Sequence, residues 1–103
     1  MQFTEMLEKV RAGTESASVD GEPVFQFALS GDNGGDFYIS VANGKGEVSE
    51  GQAEDADVTI EMSDENFNKL LHGKLNATTA FMVGKIKIKG DLSLAMKLQS
   101  LLG

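Results

Sequence analysis

Residues 73–98 read GKLNATTAFMVGKIKIKGDLSLAMKL. Gly73 is placed to stop a helix arriving from upstream. Asn76 to Val83 (NATTAFMV) reads as a short helix, with Asn76 as its cap and Ala80, Phe81 and Met82 toward the interior. Gly84 ends it. Lys85-Ile86-Lys87-Ile88-Lys89 then alternates without a break, which predicts a short strand with isoleucines in and lysines out. Gly90 and Asp91 begin a last helix, Leu92 to Leu102. Leu94, Leu98, Leu101 and Leu102 line one of its faces with Ala95 alongside. Leu92 and Met96 widen that stripe beyond what a single packing face needs.

Immediately upstream, Ser63-Asp64-Glu65 is a helix start, because Ser63 can cap and the two acids suit the positive end of the helix dipole. Asn66 stands where a capping box would want Glu or Gln, so the box itself is absent. Phe67, Leu70 and Leu71 form the apolar stripe of this helix. Before residue 63 the period is two. Pro23 opens a strand over Val24 to Leu29, with Phe25, Phe27 and Leu29 on one face. Ser30 to Gly35 (SGDNGG) is turn chemistry. A second strand, Asp36 to Ala42, puts Phe37, Ile39 and Val41 on one face. Asn43-Gly44 is a strong hairpin signal, since both residues tolerate positive φ. A third strand runs from about Lys45 to Glu50 and a fourth from about Ala56 to Met62, with Val58, Ile60 and Met62 alternating against Asp57, Thr59 and Glu61. The first element is helical: Phe3, Met6, Leu7 and Val10 fall at i, i+3, i+4 and i+7, and Gly13 ends it.

The element order is therefore α-ββββ-αα-β-α. Strands cluster and then helices cluster, which predicts an α+β fold, a mostly antiparallel sheet with helices covering one face. The first strands read as an antiparallel meander. The last strand arrives after a helical crossover, a connection that permits parallel pairing with a neighbour. At 103 residues, with no linker, repeat or low-complexity run, the chain is expected to be one domain spanning 1–103.

Composition excludes several function classes. There is no cysteine, so disulfides, thiolate metal sites and cysteine nucleophiles are ruled out. A single histidine, His72, leaves triads and multi-histidine metal sites without their parts. No apolar run approaches the roughly 20 residues that span a bilayer. The opening MQFTEMLEKV has neither the basic nor the apolar region of a secretory signal. The net charge of −7 argues against nucleic acid as a partner, because phosphate contacts need many Lys and Arg. That total conceals a division. Residues 1–66 carry 15 acids and 3 bases, whereas residues 67–103 carry 6 bases and only Asp91 as an acid. The basic residues there are Lys69, Lys74, Lys85, Lys87, Lys89 and Lys97. Such an asymmetry can steer an anionic ligand or serve plain solvation.

Catalytic motifs do not assemble. Gly44-Lys45-Gly46 is the first half of a dinucleotide loop, in a hairpin rather than a strand-to-helix turn. Gly84-Lys85 lacks the remainder of a P-loop. Asp32, Asn33 and Asp36 lack the spacing of a calcium loop. Asp55 and Asp57 share a face but have no oriented partner, and His72 beside Gly73 reads as a cap at a helix C-terminus. With no nucleophile, base and orienting group in reach of one another, the expectation is a non-enzymatic domain with no cofactor and no metal.

The C-terminal third resembles the sterol carrier protein 2 (SCP2) domain family. The resemblance rests on Gly73-Lys74-Leu75, Ala80-Phe81-Met82, Gly84-Lys85-Ile86-Lys87-Ile88-Lys89-Gly90 and Leu94-Ala95-Met96-Lys97-Leu98. Upstream, Phe25 and Phe27, Ala56-Asp57-Val58-Thr59-Ile60 and the Phe67 helix are also similar to the family. The resemblance implies a five-stranded sheet with helices over one face. It implies non-catalytic binding and transfer of a lipid (a fatty acid, fatty acyl-CoA, sterol or phospholipid) in an apolar tunnel between sheet and helices. Family members also occur as appended domains of larger enzymes, which gives the alternative of an interaction or dimerisation module whose groove holds a partner segment. Eukaryotic members often end in a tripeptide of the Ser-Lys-Leu kind; this chain ends Leu101-Leu102-Gly103, so the expected location is cytoplasmic. The expected partners are a small hydrophobic ligand, no nucleic acid and at most transient membrane contact, in a monomer or weak homodimer.

Elementary energetics allow such a carrier. Burying an alkyl chain yields about 0.8 kcal/mol per CH₂, so a 16-carbon tail gains on the order of 12 kcal/mol gross. An empty void of roughly 300 Å³ would cost about 7 kcal/mol, so an unfilled tunnel is expected to collapse in part. The expected lining is Phe25, Phe27, Ile39, Val41, Phe67, Leu71, Phe81, Met82, Leu94, Met96, Leu98 and Leu101. Each of these also reads as ordinary core. Met82 and Met96 stand out as adaptable wall residues. Lys85, Lys87 and Lys89 are the candidates to meet an acyl-CoA head group, and they also read as the charges that protect an edge strand from aggregation.

Overall fold

The computed structural model of the chain describes residues 2–14 and 21–97. Helix α1 (Phe3–Gly13) leads into strands β1 (Val24–Ser30), β2 (Gly35–Ala42), β3 (Lys45–Glu50) and β4 (Val58–Ser63). Helices α2 (Asp64–Leu71) and α3 (Ala77–Met82), strand β5 (Lys87–Gly90) and helix α4 (Leu92–Ala95) follow. The five strands form one sheet in the order β3-β2-β1-β4-β5.

Hairpins build half of it. β1 pairs antiparallel with β2, and β2 with β3. Asn43 and Gly44 form the second turn with φ of 55° and 75°, the left-handed pair that matches the twist of the flanking strands. The meander stops there. β4 does not join β3; it crosses the sheet and pairs parallel with β1, Phe25 opposite Val58 and Phe27 opposite Ile60. β5 then pairs antiparallel with β4, Ile60 opposite Ile88. The parallel pairing therefore falls between β1 and β4, and the last strand, for which a crossover would have permitted it, is antiparallel.

Gln26 explains how the crossing chain is held. It sits between Phe25 and Phe27, so its side chain leaves by the opposite face, yet it is buried. Its Nε2 donates to the carbonyls of Phe37 (3.0 Å) and Gly51 (3.1 Å), and its Oε1 accepts from the Ala53 amide (2.7 Å). One amide thus replaces the ladder partners that residues 51–53 lack. Asp57 closes the crossing: its carboxylate accepts from the Val24 amide (2.7 Å), and its carbonyl accepts from the Asp91 amide (3.0 Å). With these bonds made, β4 begins at Val58 rather than near Ala56. Gly90, at φ +103°, lies against the same backbone, and a Cβ there would sit 2.7 Å from the Asp57 carbonyl oxygen.

The odd-numbered residues of β1 and β2 and the even-numbered ones of β4 make the inner face. Phe25, Phe27, Phe37, Ile39 and Ile60 are fully buried there. α1 covers this face with Met6, Leu7 and Val10, and α2 with Phe67 and Leu70. Phe27 and Phe37 stack in parallel at 4.7 Å, and Phe67 leans on both at 5.7 and 5.6 Å. Phe3 adds an edge contact to Phe37 at 6.1 Å. Ser63 caps α2 by accepting from the Asn66 amide, and Asn76 caps α3 by accepting from that of Thr79. β5 starts at Lys87, two residues later than the alternation suggests, because the Lys85 and Ile86 amides both donate to the Ala80 carbonyl at the end of α3.

A candidate lipid-binding seam between α3, β5 and α4

Beyond the phenylalanine cluster the inner face is packed less tightly. Phe81 of α3, Ile88 of β5 and Leu94 of α4 are only half-buried, as are Leu71 and Leu75 beside them. α3, β5 and α4 enclose a small cleft, lined by Ala77, Thr78, Phe81, Ile86, Ile88, Ala95 and Met96. Its volume is about 10 Å³, room for one water at most. The lining is almost wholly apolar, so the cleft suits an alkyl group and offers water few partners. It is closed by side chains and short helices. α4 has four residues and α3 six, and elements of that length are held by their packing rather than by their own helicity.

The sequence-derived candidates separate into three groups. Phe25, Phe27, Ile39, Val41 and Phe67 lie at 1% exposure or less, inside the sealed cluster. Phe81, Leu94, Leu71 and Met96 border the looser region, and of these Phe81 and Met96 line the cleft itself. Met82 does not face the interior. It is 79% exposed, because α3 spends its inward positions on Ala77 and Ala80 and its last residue turns to solvent. Leu98 and Leu101 lie outside the described residues. Ile86 and Ile88, outside the expected lining, also wall the cleft, and the Lys-Ile alternation marks both as inward. Gln26 was missed as well; a lone amide between two buried phenylalanines was its signal.

The lysines are on the surface. Lys89 pairs with Glu61 at 3.3 Å, while Lys85 and Lys87 border a wider groove of about 380 Å³ with Ser30, Glu61, Ser63 and Gly84. This groove is larger than the cleft and mixed in character, with Ala28, Leu29 and Met62 sharing its walls with hydroxyls and charges. Among the described residues no group of three or more His, Asp or Glu could hold a metal ion. His72 caps α2: its Nδ1–H donates to the Asn68 carbonyl at 2.8 Å. Asp32 and Asn33 form the turn before β2, where the Asn33 amide donates to the Asp64 carboxylate at 2.9 Å.

Known proteins share this architecture. Hydroxysteroid dehydrogenase-like protein 2 of Xenopus tropicalis is 43% identical over 90 residues, which cover 86% of this chain and 22% of that protein. The Homo sapiens protein of the same name is 42% identical over 82 residues, covering 79% of this chain and 20% of its own length. The chain therefore spans about a fifth of these curated relatives. Among solved structures, the solution structure of palmitated SCP2L2 from Aedes aegypti superposes with a TM-score of 0.76 at 25% identity, over 99% of this chain and 95% of that one. Sterol carrier protein 2 from Yarrowia lipolytica, in its apo form, gives 0.63 at 30% identity, over 98% and 73%. The sequence profile of the SCP-2 sterol transfer family matches residues 3–103, and the chain belongs to that family.

Proposed function

We propose that the domain binds a lipid in the seam between α3, β5 and α4 and carries it without catalysing a reaction. The observation that supports this reading most is the packing of the seam: its half-buried apolar walls are covered by two short helices. The ligand class follows from the walls. They present methyl, methylene and ring carbon with no buried charge, so affinity must come from the hydrocarbon part of the ligand. The palmitate of the Aedes aegypti structure and the sterol of the family's name are both ligands of that kind. A fatty acid, fatty acyl-CoA, sterol or phospholipid meets the requirement, and for an acyl-CoA Lys85 and Lys87, without an ion-pair partner among the described residues, are candidates to meet phosphate.

In this reading the seam is a closed form of the site. An open void of roughly 300 Å³ would cost about 7 kcal/mol, against a total stability of about 5–15 kcal/mol for a domain. Closing α3 and α4 onto β5 avoids that cost, and an entering alkyl chain replaces the contacts that closure makes. Native mass spectrometry of gently purified protein, before and after organic extraction, tests the proposal. The expected result is a discrete added mass on the 11.0 kDa chain, removed by extraction and restored by palmitate or palmitoyl-CoA. A bare chain that refuses both lipids, and that self-associates with rising concentration, would overturn it in favour of an interaction module.

A further inference from the structure

With no cysteine and no tryptophan in the chain, peroxide chemistry falls to its five methionines. Met6 and Met62 are buried in the core, and Met1 lies outside the described residues. Met82 and Met96 are exposed, at 79% and 50%. These two differ in what lies behind them. Met82 ends α3 and faces solvent away from the cleft. Met96 follows directly on α4 and lines the cleft with Phe81, Ile86, Ile88 and Ala95. Its thioether side chain is therefore reachable from water and at the same time part of the apolar lining.

We propose that Met96 is a peroxide-sensitive residue whose oxidation to the sulfoxide loosens the seam's hold on lipid. The inference rests on the lipid-binding reading of the seam. In the step, a sulfur lone pair takes the terminal oxygen of a hydroperoxide. The S–O bond forms and the O–O bond breaks. The hydrogen on that oxygen passes to the leaving hydroxide or alkoxide, which departs as water or alcohol. Sulfur is oxidised, the peroxide is reduced, and the product is the form that methionine sulfoxide reductases reverse. The wall has little to offer the new oxygen. A thioether is a weak acceptor, whereas the sulfoxide is polar and needs a donor. Ala77, Phe81, Ile86, Ile88 and Ala95 bring no side-chain donor, and the Thr78 hydroxyl is the single one in the lining. The amides of Ile86, Ala95 and Met96 already donate to the carbonyls of Ala80, Asp91 and Leu92. Kept in the wall, the oxygen sets a polar group against an alkyl chain. Turned to solvent, it takes the Met96 side chain out of the lining. Both reduce the apolar contact from which a bound lipid gains.

Timed treatment of the full chain with hydrogen peroxide, followed by peptide mass mapping and palmitate titration, tests the proposal. Met82 and Met96 should oxidise first, while Met6 and Met62 stay reduced for as long as the fold persists. Saturating palmitate should slow oxidation of Met96 and leave that of Met82 unchanged. The oxidised wild type should bind palmitate about tenfold more weakly than the reduced protein. A methionine sulfoxide reductase should restore the affinity. Met96→Leu, compared with its own reduced form, should lose nothing on oxidation, whereas Met82→Leu should lose as much as the wild type. Three results would each overturn the switch: a Met96 that oxidises no faster than Met6, an oxidised wild type that binds palmitate as the reduced one does, or a Met96→Leu protein that still loses affinity with peroxide. A reduced wild type that takes up no palmitate would instead sink the lipid-binding reading, and the switch with it.

Discussion

Two apolar regions sit side by side on the inner face of one sheet and are packed to different ends. Around Phe27, Phe37 and Phe67 the rings stack and tilt against one another, and all three are fully buried. Around Phe81, Ile88 and Leu94 the side chains are half-buried, and the cover consists of α3 and α4, six and four residues long. The first region has well-fitted aromatic contacts that hold one arrangement. The second has half-buried side chains and short helices that can part at modest cost. A domain that must keep its fold while admitting a guest needs both kinds of packing, separated in space.

Truncating the sealed region gives the largest expected effect. Phe27→Ala should destabilise the protein by about 3–5 kcal/mol, read as a lower urea midpoint at unchanged slope. Phe81→Ala should cost only about 1–2 kcal/mol, since half as much surface leaves water, and it should blunt the rise in melting temperature that added palmitate produces. Equal losses for the two would break the contrast between the regions. Gln26→Met falls between them. It keeps the volume but leaves the Gly51 and Phe37 carbonyls and the Ala53 amide without their partner, for a loss of about 2–3 kcal/mol. A neutral result would mean that the crossing over residues 51–57 does not depend on that amide.

The smallest effect sharpens the account of α4. The Ser93 hydroxyl, donating to the Asp91 carboxylate, holds its pKa below the ordinary carboxylate value, with help from the Ser93 and Leu94 amides. A carboxyl lowered in the folded state contributes its stability above the ordinary carboxylate range and loses it as pH falls through the depressed value. Amide exchange at Ala95, whose N–H donates to the Asp91 carbonyl, should therefore quicken selectively in acid. Asp91→Asn, which can still cap the helix, should flatten that response. An unaltered acid response in the variant would remove Asp91 from the account.

Much of the fold could be read from residue order because its elements obey simple periods. The i, i+3, i+4, i+7 spacing of α1, the alternation of β1 and β2 and the Asn43-Gly44 turn all appear where they were expected. Alternation assigns a face but names no neighbour, and so it could not tell that β4 would pass β3 and settle parallel to β1. The Gln26 amide inside β1 and the Asp57 carboxylate just before β4 hold the ends of that path. For the site, Phe81 and Met96 were legible as apolar residues on short helices. Met82 was not, because six residues of helix turn fewer than two full circles and the last side chain has no second turn to pack under.

Residue order by itself determined the α+β class, the inward set of phenylalanines, the basic C-terminal segment and the family, because these follow from local period, composition and motif. Only the tertiary structure decided which apolar residues are sealed and which remain half-exposed. That depends on how many neighbours each side chain meets once β4 and β5 have taken their places beside β1, and contacts between residues far apart in the chain leave no trace in local spacing.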